Sequence, residues 1–590
     1  MCGIVGAINP RDLKSYLLNG LKDLDYRGYD SAGIAILNDQ KFNIYRHVGR
    51  VNELENKLPN DLMSKIGIGH TRWATHGAPL EKNSHPHLSF HKNFAIVHNG
   101  VIENYLQIKN QLISEGVTFY SDTDTEVIVN LIEKEFLKTG DILLSLNNAI
   151  KLLTGSLAIA LIYVNDETKI YFAKRKSPLL IGLGNGSNYV ASDALPMLKD
   201  ANKFISILDE QYGFISDKEV KIFEDENIVE PKYINIDREL LNQDLNGYSH
   251  YMLKEIEEIP TCINRLVNNY ILDGNYTFDT EMIKALKNAN TVTFIACGTS
   301  YHACLIGKKY MESLHKRSNV FVASEWGYFP QFEDNEIFIL LSQSGETADL
   351  IKCFEILKSH NKKTITITNC RGSTLDREST WSALLYAGVE IAVASTKAYN
   401  AQVALLYLLK SCLANDYNAA NKLLDNNQKL KSIINKKEKI HEIAREIKDA
   451  NHAFFLGRGS DYYVALEASL KLKEITYIHS EAFAGGELKH GPLALIEKDT
   501  PVFGFVTIDH INKAIRGNFS EVTARGAKLF TFVSKSLAES NDSLIIDDFD
   551  GDLSPLGVAM IAQYLSYYTA LERNKDIDKP RNLAKSVTVE

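Results

Sequence analysis

The chain has 590 residues, about four times the size of a typical single domain, so it must fold around several cores. Its composition is 45% hydrophobic and 24% charged, which excludes disordered, collagenous and low-complexity proteins. With 65 Lys and Arg against 74 Asp and Glu, the net charge of −9 gives no overall attraction to nucleic acid or to an anionic membrane surface.

The sequence also bears on the cellular compartment. It has no apolar run of the length that a membrane span requires, and its first residues lack the basic region of a signal peptide. Seven cysteines are scattered along the chain without a CxxC pair, which suits a reducing compartment. We therefore predict a cytoplasmic protein.

The first 240 residues contain short strand-like runs such as CGIVGAI, FAIVHNG and SLAIALIYV, separated by Gly, Asn and Asp turns. Helical periodicity appears at 102–115 and 125–138, so this part is predicted to be an α+β domain. Residues 235–247 carry charges and turn formers with little apolar patterning, and we place a linker there.

After the linker, strand-like runs lead directly into helices, as where EIFILL passes through SQSGET into ADLIKCFEILK. This alternation predicts a parallel sheet with helices on both faces. The pattern recurs about 160 residues later, where AFFL, GRGS and a helix echo TVTFIA, CGTS and its helix. Two copies of one α/β domain are therefore predicted. The predicted divisions are an α+β domain at 1–240, a linker and leading helix at 241–280, α/β domains at 281–416 and 449–575, a solvated connecting helix at 417–448 and a carboxyl-terminal tail at 576–590.

Cys2 directly follows the initiator Met, which is usually removed before a small residue, so residue 2 can carry both a thiol and a free α-amine. In that arrangement the amine takes a proton and the thiolate attacks a carbonyl carbon. A small apolar residue in the first strand is the alternative that position alone favours. His85 and His87 resemble a pair of metal ligands, but no third ligand is evident and we predict no metal site.

Four further segments follow MCGIVG in order, namely YRGYDSAG, HTRWATHG, VHNG and SDTDTE. With them the first part of the chain resembles the class II glutamine amidotransferase domain, an amino-terminal nucleophile (αββα) fold. The resemblance implies that Cys2 attacks the glutamine amide and that Asn99 and Gly100 form the oxyanion hole. It also implies a glutamine-binding set, which comprises Arg27, Arg72, Trp73, His76 and Asp124. Taken singly, Arg72 and Asp124 would more often be surface charges or structural pairs.

SQSGET at 342–347 lies between a strand and a helix, so its N–H groups and hydroxyls can converge on an anion such as a phosphate monoester. An ordinary helix cap is the alternative. Together with GTS at 298–300 and VASTKA at 393–398, this part resembles tandem sugar isomerase domains with a flavodoxin-like parallel sheet. The resemblance implies sugar-phosphate contacts from Ser300, Ser342, Gln343, Ser344, Thr347 and Ser395.

Two more segments, LKLKEITYIHSEAFAGGELKHGP and DKPRNLAKSVTVE, extend the match to essentially the whole chain. The chain resembles the family of isomerizing glutamine–fructose-6-phosphate aminotransferases. The family's motifs imply that His490 opens the sugar ring, that Lys585 forms a Schiff base at C2 and that Glu474 moves a proton between C1 and C2. Lys471, three residues before Glu474, would bias its charge. A solvated lysine near a terminus and a surface helical pair are the plain alternatives.

The resemblance implies transfer of the amide nitrogen of L-glutamine to fructose 6-phosphate, followed by isomerisation to glucosamine 6-phosphate, as the first step of amino-sugar synthesis. We expect no metal or organic cofactor, a homodimer, and ammonia passing inside the protein along a path gated by Trp73 and the carboxyl-terminal tail. Two alternatives stay open. One is a non-catalytic phosphosugar sensor, since fold alone does not fix function. The other is an amidotransferase with a different sugar-phosphate acceptor.

Overall fold

The computed structural model describes residues 2–59, 62–74, 76–236 and 244–587. They form two compact units, one holding the described residues up to 236 together with 586 and 587, the other holding residues 244–585. Met1, whose removal the sequence predicts, and residues 237–243 of the predicted linker lie outside the described residues. No helix in the described part of the chain combines the length and the apolar character that crossing a bilayer requires.

The first unit consists of short helices and many strands. Its α-helices are α1 (Leu13–Asp23), α2 (Val51–Glu55), α3 (Tyr105–Ser114), α4 (Thr125–Thr139) and α5 (Ile142–Leu152). Its strands are β1 (Gly3–Ile8), β2 (Ser31–Asn38), β3 (Lys41–Val48), β4 (Ile66–Arg72), β5 (His87–Leu88), β6 (Phe94–Ile102), β7 (Gly155–Tyr163), β8 (Asp166–Arg175), β9 (Leu180–Leu183), β10 (Asn188–Ala191), β11 (Lys203–Ser206), β12 (Tyr212–Ile215), β13 (Val220–Glu224), β14 (Asn227–Val229) and β15 (Lys232–Ile234).

These strands form two antiparallel sheets that pack face to face. One has the order β15-β11-β9-β10-β1-β4-β2-β3 and the other the order β14-β13-β12-β8-β7-β6-β5. One apolar core fills the space between the sheets, a second lies under α1 and α2, and a third lies under α3, α4 and α5. The resulting αββα layers confirm the fold predicted for the first part of the chain.

The period-two alternation of the strands carries the predicted residues to one place. Ile4 and Ile8 of β1 belong to the core between the sheets, so Cys2, just before β1, lies on the same face. The same parity applies to Arg72 at the end of β4 and to Asn99 in β6. The predicted polar and reactive side chains therefore lie at one edge of the inter-sheet core, on the same strand faces as its apolar residues.

The second unit is an α/β structure. Its strands are β16 (Ile271–Leu272), β17 (Asn275–Tyr276), β18 (Thr291–Ala296), β19 (Arg317–Val322), β20 (Glu336–Ser342), β21 (Thr364–Thr368), β22 (Trp381–Leu384), β23 (His452–Gly457), β24 (His479–Ala484), β25 (Pro501–Val506), β26 (Lys528–Ser534) and β27 (Leu544–Ile546). Its α-helices are α6 (Tyr251–Glu257), α7 (Ile259–Tyr270), α8 (Thr280–Asn288), α9 (Gly298–Ser313), α10 (Ala323–Trp326), α11 (Ala348–Ser359), α12 (Thr374–Glu378), α13 (Lys397–Leu413), α14 (Ala419–Ile434), α15 (Lys437–Ile447), α16 (Ser460–Thr476), α17 (Asn512–Thr523) and α18 (Ser554–Glu572).

Two five-stranded parallel sheets with the same topology organise this unit. Their orders are β19-β18-β20-β21-β22 and β24-β23-β25-β26-β27, so in each the second strand in sequence lies at the edge. The repeated order confirms the predicted duplication of one α/β domain. In such a sheet a ligand binds outside the carboxyl ends of the strands where the order reverses, which here means β18 and β20.

The segment between the two sheets differs from expectation. Residues 417–448 were expected to form one connecting helix, but they form α14 and α15. The break follows Ile434 at Asn435, a residue type whose side chain competes with helical hydrogen bonding. Both helices are amphipathic, and they bury Leu430 and Ile440 in the core that the two sheets share.

Candidate active site

A pocket opens in the first unit at the edge of the inter-sheet core. It brings together six of the predicted residues with four others. The lining residues are Cys2, Arg72, Trp73, His76, His85, His98, Gly100, Thr123, Asp124 and Thr125.

The Cys2 thiol contacts the backbone of Trp73, which directly follows the neighbouring strand β4. The Trp73 N–H donates to Cys2 Sγ at 3.3 Å, and Sγ lies 3.6 Å from the Trp73 carbonyl oxygen. Burial raises the pKa of this thiol, although the Trp73 hydrogen bond and Arg72 act in the opposite direction. The resting sulfur is therefore a thiol, and a nucleophilic attack needs a base close by.

Asn99 and Gly100 lie beside Cys2. The Asn99 Nδ2 donates to the Cys2 carbonyl oxygen at 3.0 Å. Gly100 has a φ of +138°, and a Cβ atom there would lie 2.1 Å from the Ser156 carbonyl oxygen. Only glycine fits this position, so the backbone can approach whatever occupies the pocket.

A buried cation and a buried anion line the same pocket. The Arg72 guanidinium donates to the carbonyl oxygens of His76 at 2.5 Å and Gly77 at 2.9 Å, and so holds the loop that follows β4. The Asp124 carboxylate accepts from the Ile102 N–H at 2.9 Å. An arginine fork and a carboxylate match the α-carboxylate and α-ammonium of an amino acid.

Arg27 has a different environment. Its guanidinium donates to the Asp193 carboxylate at 2.5 Å, and the Tyr26 hydroxyl donates to the same oxygen at 2.8 Å. It is not one of the ten lining residues of the pocket. The structure thus places Arg27 in a buried ion pair, and its part in glutamine binding stays a prediction.

Four buried histidines group beside the pocket, of which His85 and His98 line it, and the sequence reasoning did not foresee their grouping. They are His70, His85, His87 and His98, and burial lowers the pKa of each. The rings of His70 and His85 stack with centroids 4.0 Å apart. Among the described residues, no group of three or more His, Cys, Asp or Glu is arranged to hold a metal ion. The strand parity of β4 was the signal that could have placed His70 on the inward face of its sheet.

In the second unit, the SQSGET turn closes on itself at the start of α11. The Ser342 Oγ lies 3.0 Å from the Thr347 Oγ1 and 3.5 Å from the Ser344 Oγ. The Gly345 N–H donates to Ser342 Oγ at 3.0 Å, and its φ of +66° permits the tight turn. The hydroxyls therefore gather at the carboxyl end of β20, as a phosphate site requires.

Two more predicted residues lie at these strand ends. The Ser300 Oγ accepts from Gln402 Nε2 at 2.8 Å in the first turn of α9, which follows β18. The Gln343 carbonyl oxygen accepts from the Asn369 N–H at 3.0 Å, which joins the SQSGET turn to the end of β21. Both residues thus belong to the edge where β18 and β20 end.

A charged cluster lies on α16. The Lys471 Nζ donates to Glu474 Oε2 at 2.6 Å and to Thr299 Oγ1 at 2.9 Å. Glu467, one turn earlier, accepts from the Thr299 hydroxyl at 3.1 Å and lies 2.7 Å from His302 Nδ1. Burial opposes the charge of Lys471, but Glu467 and Glu474 raise its pKa. The surface helical pair that we considered as an alternative is therefore a buried network, and Glu467 is a member that no motif indicated.

Lys585 is buried as well, with 4% of its side chain exposed. Its Nζ donates to Glu390 Oε2 at 2.6 Å and to the Ala392 carbonyl oxygen at 2.8 Å. The Ser395 hydroxyl donates to the same Glu390 oxygen at 2.9 Å. Although burial opposes ionisation, Lys585 lowers the pKa of Glu390 to about 2. The sequence reasoning missed Glu390, which lies outside every motif.

His490 is exposed at the end of a 3₁₀ helix, Gly485–His490. Within the described part of the chain, no hydrogen bond or ion pair joins it to Glu474 or Lys585. Its predicted part in ring opening therefore has no local geometric support.

Comparison with known proteins covers both units of the chain. The glutamine amidotransferase domain family matches residues 70–199, and the SIS domain family matches residues 285–411 and 446–572. The glutamine–fructose-6-phosphate aminotransferase (isomerizing) of Geobacillus kaustophilus is 46% identical, with 100% of both chains covered. The enzyme of that name from Bacillus subtilis is 45% identical at the same coverage. This chain belongs to the isomerizing glutamine–fructose-6-phosphate aminotransferase family.

A solved structure agrees with the family for the second unit. The C-terminal domain of glucosamine-fructose-6-phosphate aminotransferase from Francisella tularensis is 35% identical, with a TM-score of 0.54. The match covers 57% of this chain and 100% of that domain. The family and the fold class predicted from the sequence are thereby confirmed.

Proposed function

We propose that this chain transfers the amide nitrogen of L-glutamine to fructose 6-phosphate and isomerises the product to glucosamine 6-phosphate, with release of L-glutamate. The observation that carries the proposal is full-length similarity, at 45 to 46% identity, to relatives that bear the name of this reaction. The Cys2 pocket of the first unit and the Lys585 cluster of the second support it.

The glutamine half of the reaction begins with Cys2. After removal of Met1, the α-amine of Cys2 takes the thiol proton and the sulfur adds to the amide carbon of glutamine. Asn99 and Gly100 donate to the oxyanion, and each donor of this kind lowers the barrier by about 3 kcal/mol. Ammonia leaves with the proton, and water then hydrolyses the thioester to glutamate.

Binding of glutamine in this half falls to the charged residues of the pocket. Arg72 takes the α-carboxylate and Asp124 the α-ammonium, while Trp73 and His76 cover the substrate from the loop after β4. Arg27 supports the cysteine end of the site. Because both charges of glutamine are at its α-carbon end, Arg72 and Asp124 hold that end and leave the neutral side-chain amide directed towards Cys2.

The sugar half begins with capture of the phosphate. The phosphate binds to Ser342, Gln343, Ser344 and Thr347 at the amino end of α11, and Ser300 and Ser395 contact the sugar hydroxyls. His490 transfers the proton that opens the ring.

Lys585 and Glu474 then carry out the bond changes. The Lys585 amine adds to C2 and water leaves, which gives a Schiff base. Ammonia replaces the lysine at C2, and Glu474 moves a proton from C1 to C2, so that C1 becomes the aldehyde and C2 carries the amine. The neighbouring Lys471 Nζ donates a hydrogen bond to Glu474 Oε2 and so orients this carboxylate.

We also propose that ammonia reaches the sugar inside the protein, on a path gated by Trp73 and the carboxyl-terminal tail. Ammonia released into water near pH 7 would become ammonium, which is not a nucleophile. A cytoplasmic location is supported by the seven cysteines scattered along the chain without a CxxC pair. We also propose a homodimer with sugar sites near the subunit boundary. In such a dimer the exposed His490 could act at a sugar site.

The test uses glutamine labelled with ¹⁵N in the amide, fructose 6-phosphate and the full chain, with products and the processed amino terminus read by mass spectrometry. We expect glutamate and ¹⁵N-labelled glucosamine 6-phosphate. Excess unlabelled ammonium should not dilute the label if ammonia travels inside the protein. Glutamate without amino sugar would indicate a different acceptor, and sugar-phosphate binding without either product would indicate a sensor.

A further inference from the structure

His70 is a buried residue next to the glutamine pocket to which nothing above assigns a function. It lies in β4 on the face that carries Ile66 and Ile68 into the inter-sheet core, and it is 1% exposed. Its Nε2 lies 3.0 Å from the His98 carbonyl oxygen and 3.0 Å from the Asn99 Oδ1. Both neighbours accept hydrogen bonds, so this nitrogen carries the proton.

The other ring nitrogen fits the same protonation state. The buried His70 Nδ1 has no hydrogen-bond partner among the residues that the structure describes. A second proton on the ring would therefore be an unsatisfied buried donor. Burial lowers the pKa of His70 to about 3, so the imidazole is neutral at any working pH. The stacked His85 ring holds the His70 plane in place.

The Asn99 amide has two orientations that differ by a half-turn about its last bond. In the observed one, Oδ1 accepts from His70 while Nδ2 donates to the Cys2 carbonyl oxygen at 3.0 Å. In the other, Nδ2 would face the Nε2–H donor of His70, and Oδ1 would face the carbonyl oxygen of Cys2. Two hydrogen bonds would be replaced by two repulsive contacts, so the observed orientation is fixed from both sides.

We propose that His70 is a positioning residue of the glutaminase reaction, a fixed neutral donor that keeps the Asn99 Nδ2 turned towards Cys2. Nδ2 carries two hydrogens, and the bond to the Cys2 carbonyl uses one of them. The second is then available to the oxyanion that forms when sulfur adds to the amide. The proposal rests on the function proposed above, because it requires Asn99 to act as an oxyanion donor.

The test measures glutamate release by His70→Phe, which keeps a buried ring but removes the donor. With the amide free to turn, kcat should fall about a hundredfold, the effect of losing one oxyanion donor, while KM for glutamine stays nearly constant. His70→Gln can still donate to Asn99 and should recover most of the loss. The His70→Gln variant also keeps the proposal testable if His70→Phe does not fold.

A double-mutant cycle separates positioning from structural support. In an Asn99→Ala background there is no amide to orient, so His70→Phe should cause no further loss of kcat. His87→Phe is the matched control, since His87 belongs to the same buried group but contacts Thr123 rather than Asn99. It should lower the melting temperature to a similar degree and leave kcat within a few-fold of the parent.

Two results would overturn the proposal. A full additional loss from His70→Phe in the Asn99→Ala background, or equal effects of His70→Phe and His87→Phe on kcat, would mean that the histidine only supports the fold. A parent protein that releases no glutamate would instead refute the proposed function, and the inference would fall with it.

Discussion

The Lys585 ammonium and the Glu390 carboxylate form an ion pair 2.6 Å long in which the side chains are 4% and 0% exposed. The two residues are 195 positions apart in the sequence. Burial disfavours each charge alone, so each depends on the other. The amine that is proposed to form the Schiff base is therefore paired with the Glu390 carboxylate.

Glu390→Gln should destabilise the second unit by about 3 to 5 kcal/mol, because it leaves the Lys585 ammonium buried without a counter-charge. The direction in which this stability difference changes with pH follows from the pKa of Glu390, which is lowered to about 2. The carboxylate contributes stability above its unfolded pKa, and that contribution is lost as pH falls towards 2. In denaturant melts, the free energies of unfolding of parent and variant should therefore differ less at pH 3 than at pH 7.

Asp552→Asn is the control, because it breaks a more exposed ion pair with Lys410. It should lower the free energy of unfolding by less than about 1 kcal/mol. A loss equal to that of Glu390→Gln would contradict the argument.

Cys2→Ala should lower glutamate release by at least about a thousandfold, since the proposed function makes the Cys2 sulfur the attacking atom. The sugar half should be intact, so borohydride should still trap fructose 6-phosphate on Lys585 of this variant. Cys412→Ser changes a thiol at the far end of α13 and serves as the control, with both activities retained. Glutamate release by Cys2→Ala at the parental rate would show that another group is the nucleophile.

The four buried histidines make the first unit sensitive to acid. Burial lowers the pKa of His70, His85, His87 and His98, so the unfolded state binds more protons than the folded state below the ordinary histidine pKa of about 6.5. Their contribution to stability is present above that pH and is lost as pH falls. The loss is up to about 1.4 kcal/mol per pH unit for each group. Calorimetry of the full chain between pH 7.5 and 5 should show the melting transition of this unit falling steeply, and a pH-independent transition would contradict the burial of these rings.

The hydroxyls of the SQSGET turn should matter for the sugar and not for glutamine. Ser344→Ala and Thr347→Ala should each raise KM for fructose 6-phosphate about tenfold, the usual effect of losing one hydrogen bond to a charged group. Glutamate release measured without sugar should be unchanged. Ser359→Ala alters an exposed hydroxyl at the other end of α11 and is the matched control. If all three variants had the same KM, the turn would be an ordinary helix cap.

The sequence was sufficient where local pattern decides the outcome. The strand-turn-helix pattern placed Ser342 and Ser300 at strand ends, and the order of the short motifs singled out Cys2. The buried partners Glu390 and Glu467 could not be predicted, because nothing in the sequence distinguishes them from ordinary carboxylates. Their meaning comes from the distant residues that folding brings to them, Lys585 in one case and Thr299 in the other. The environment of His70 could be predicted only in part, since strand parity gives the face of the sheet on which it lies but not its neighbour on the other sheet.

The contacts around Lys471 also limit how the two repeats of the second unit can move. Lys471 and Glu467 are on α16 of one repeat, and Thr299 and His302 are on α9 of the other. Sliding one helix past the other by a single residue would displace these atoms by about 1.5 Å and so lengthen and weaken these hydrogen bonds. These contacts tie the two repeats together, so we expect any opening that admits a ligand to come from loops and the terminal segment rather than from the seam between the repeats.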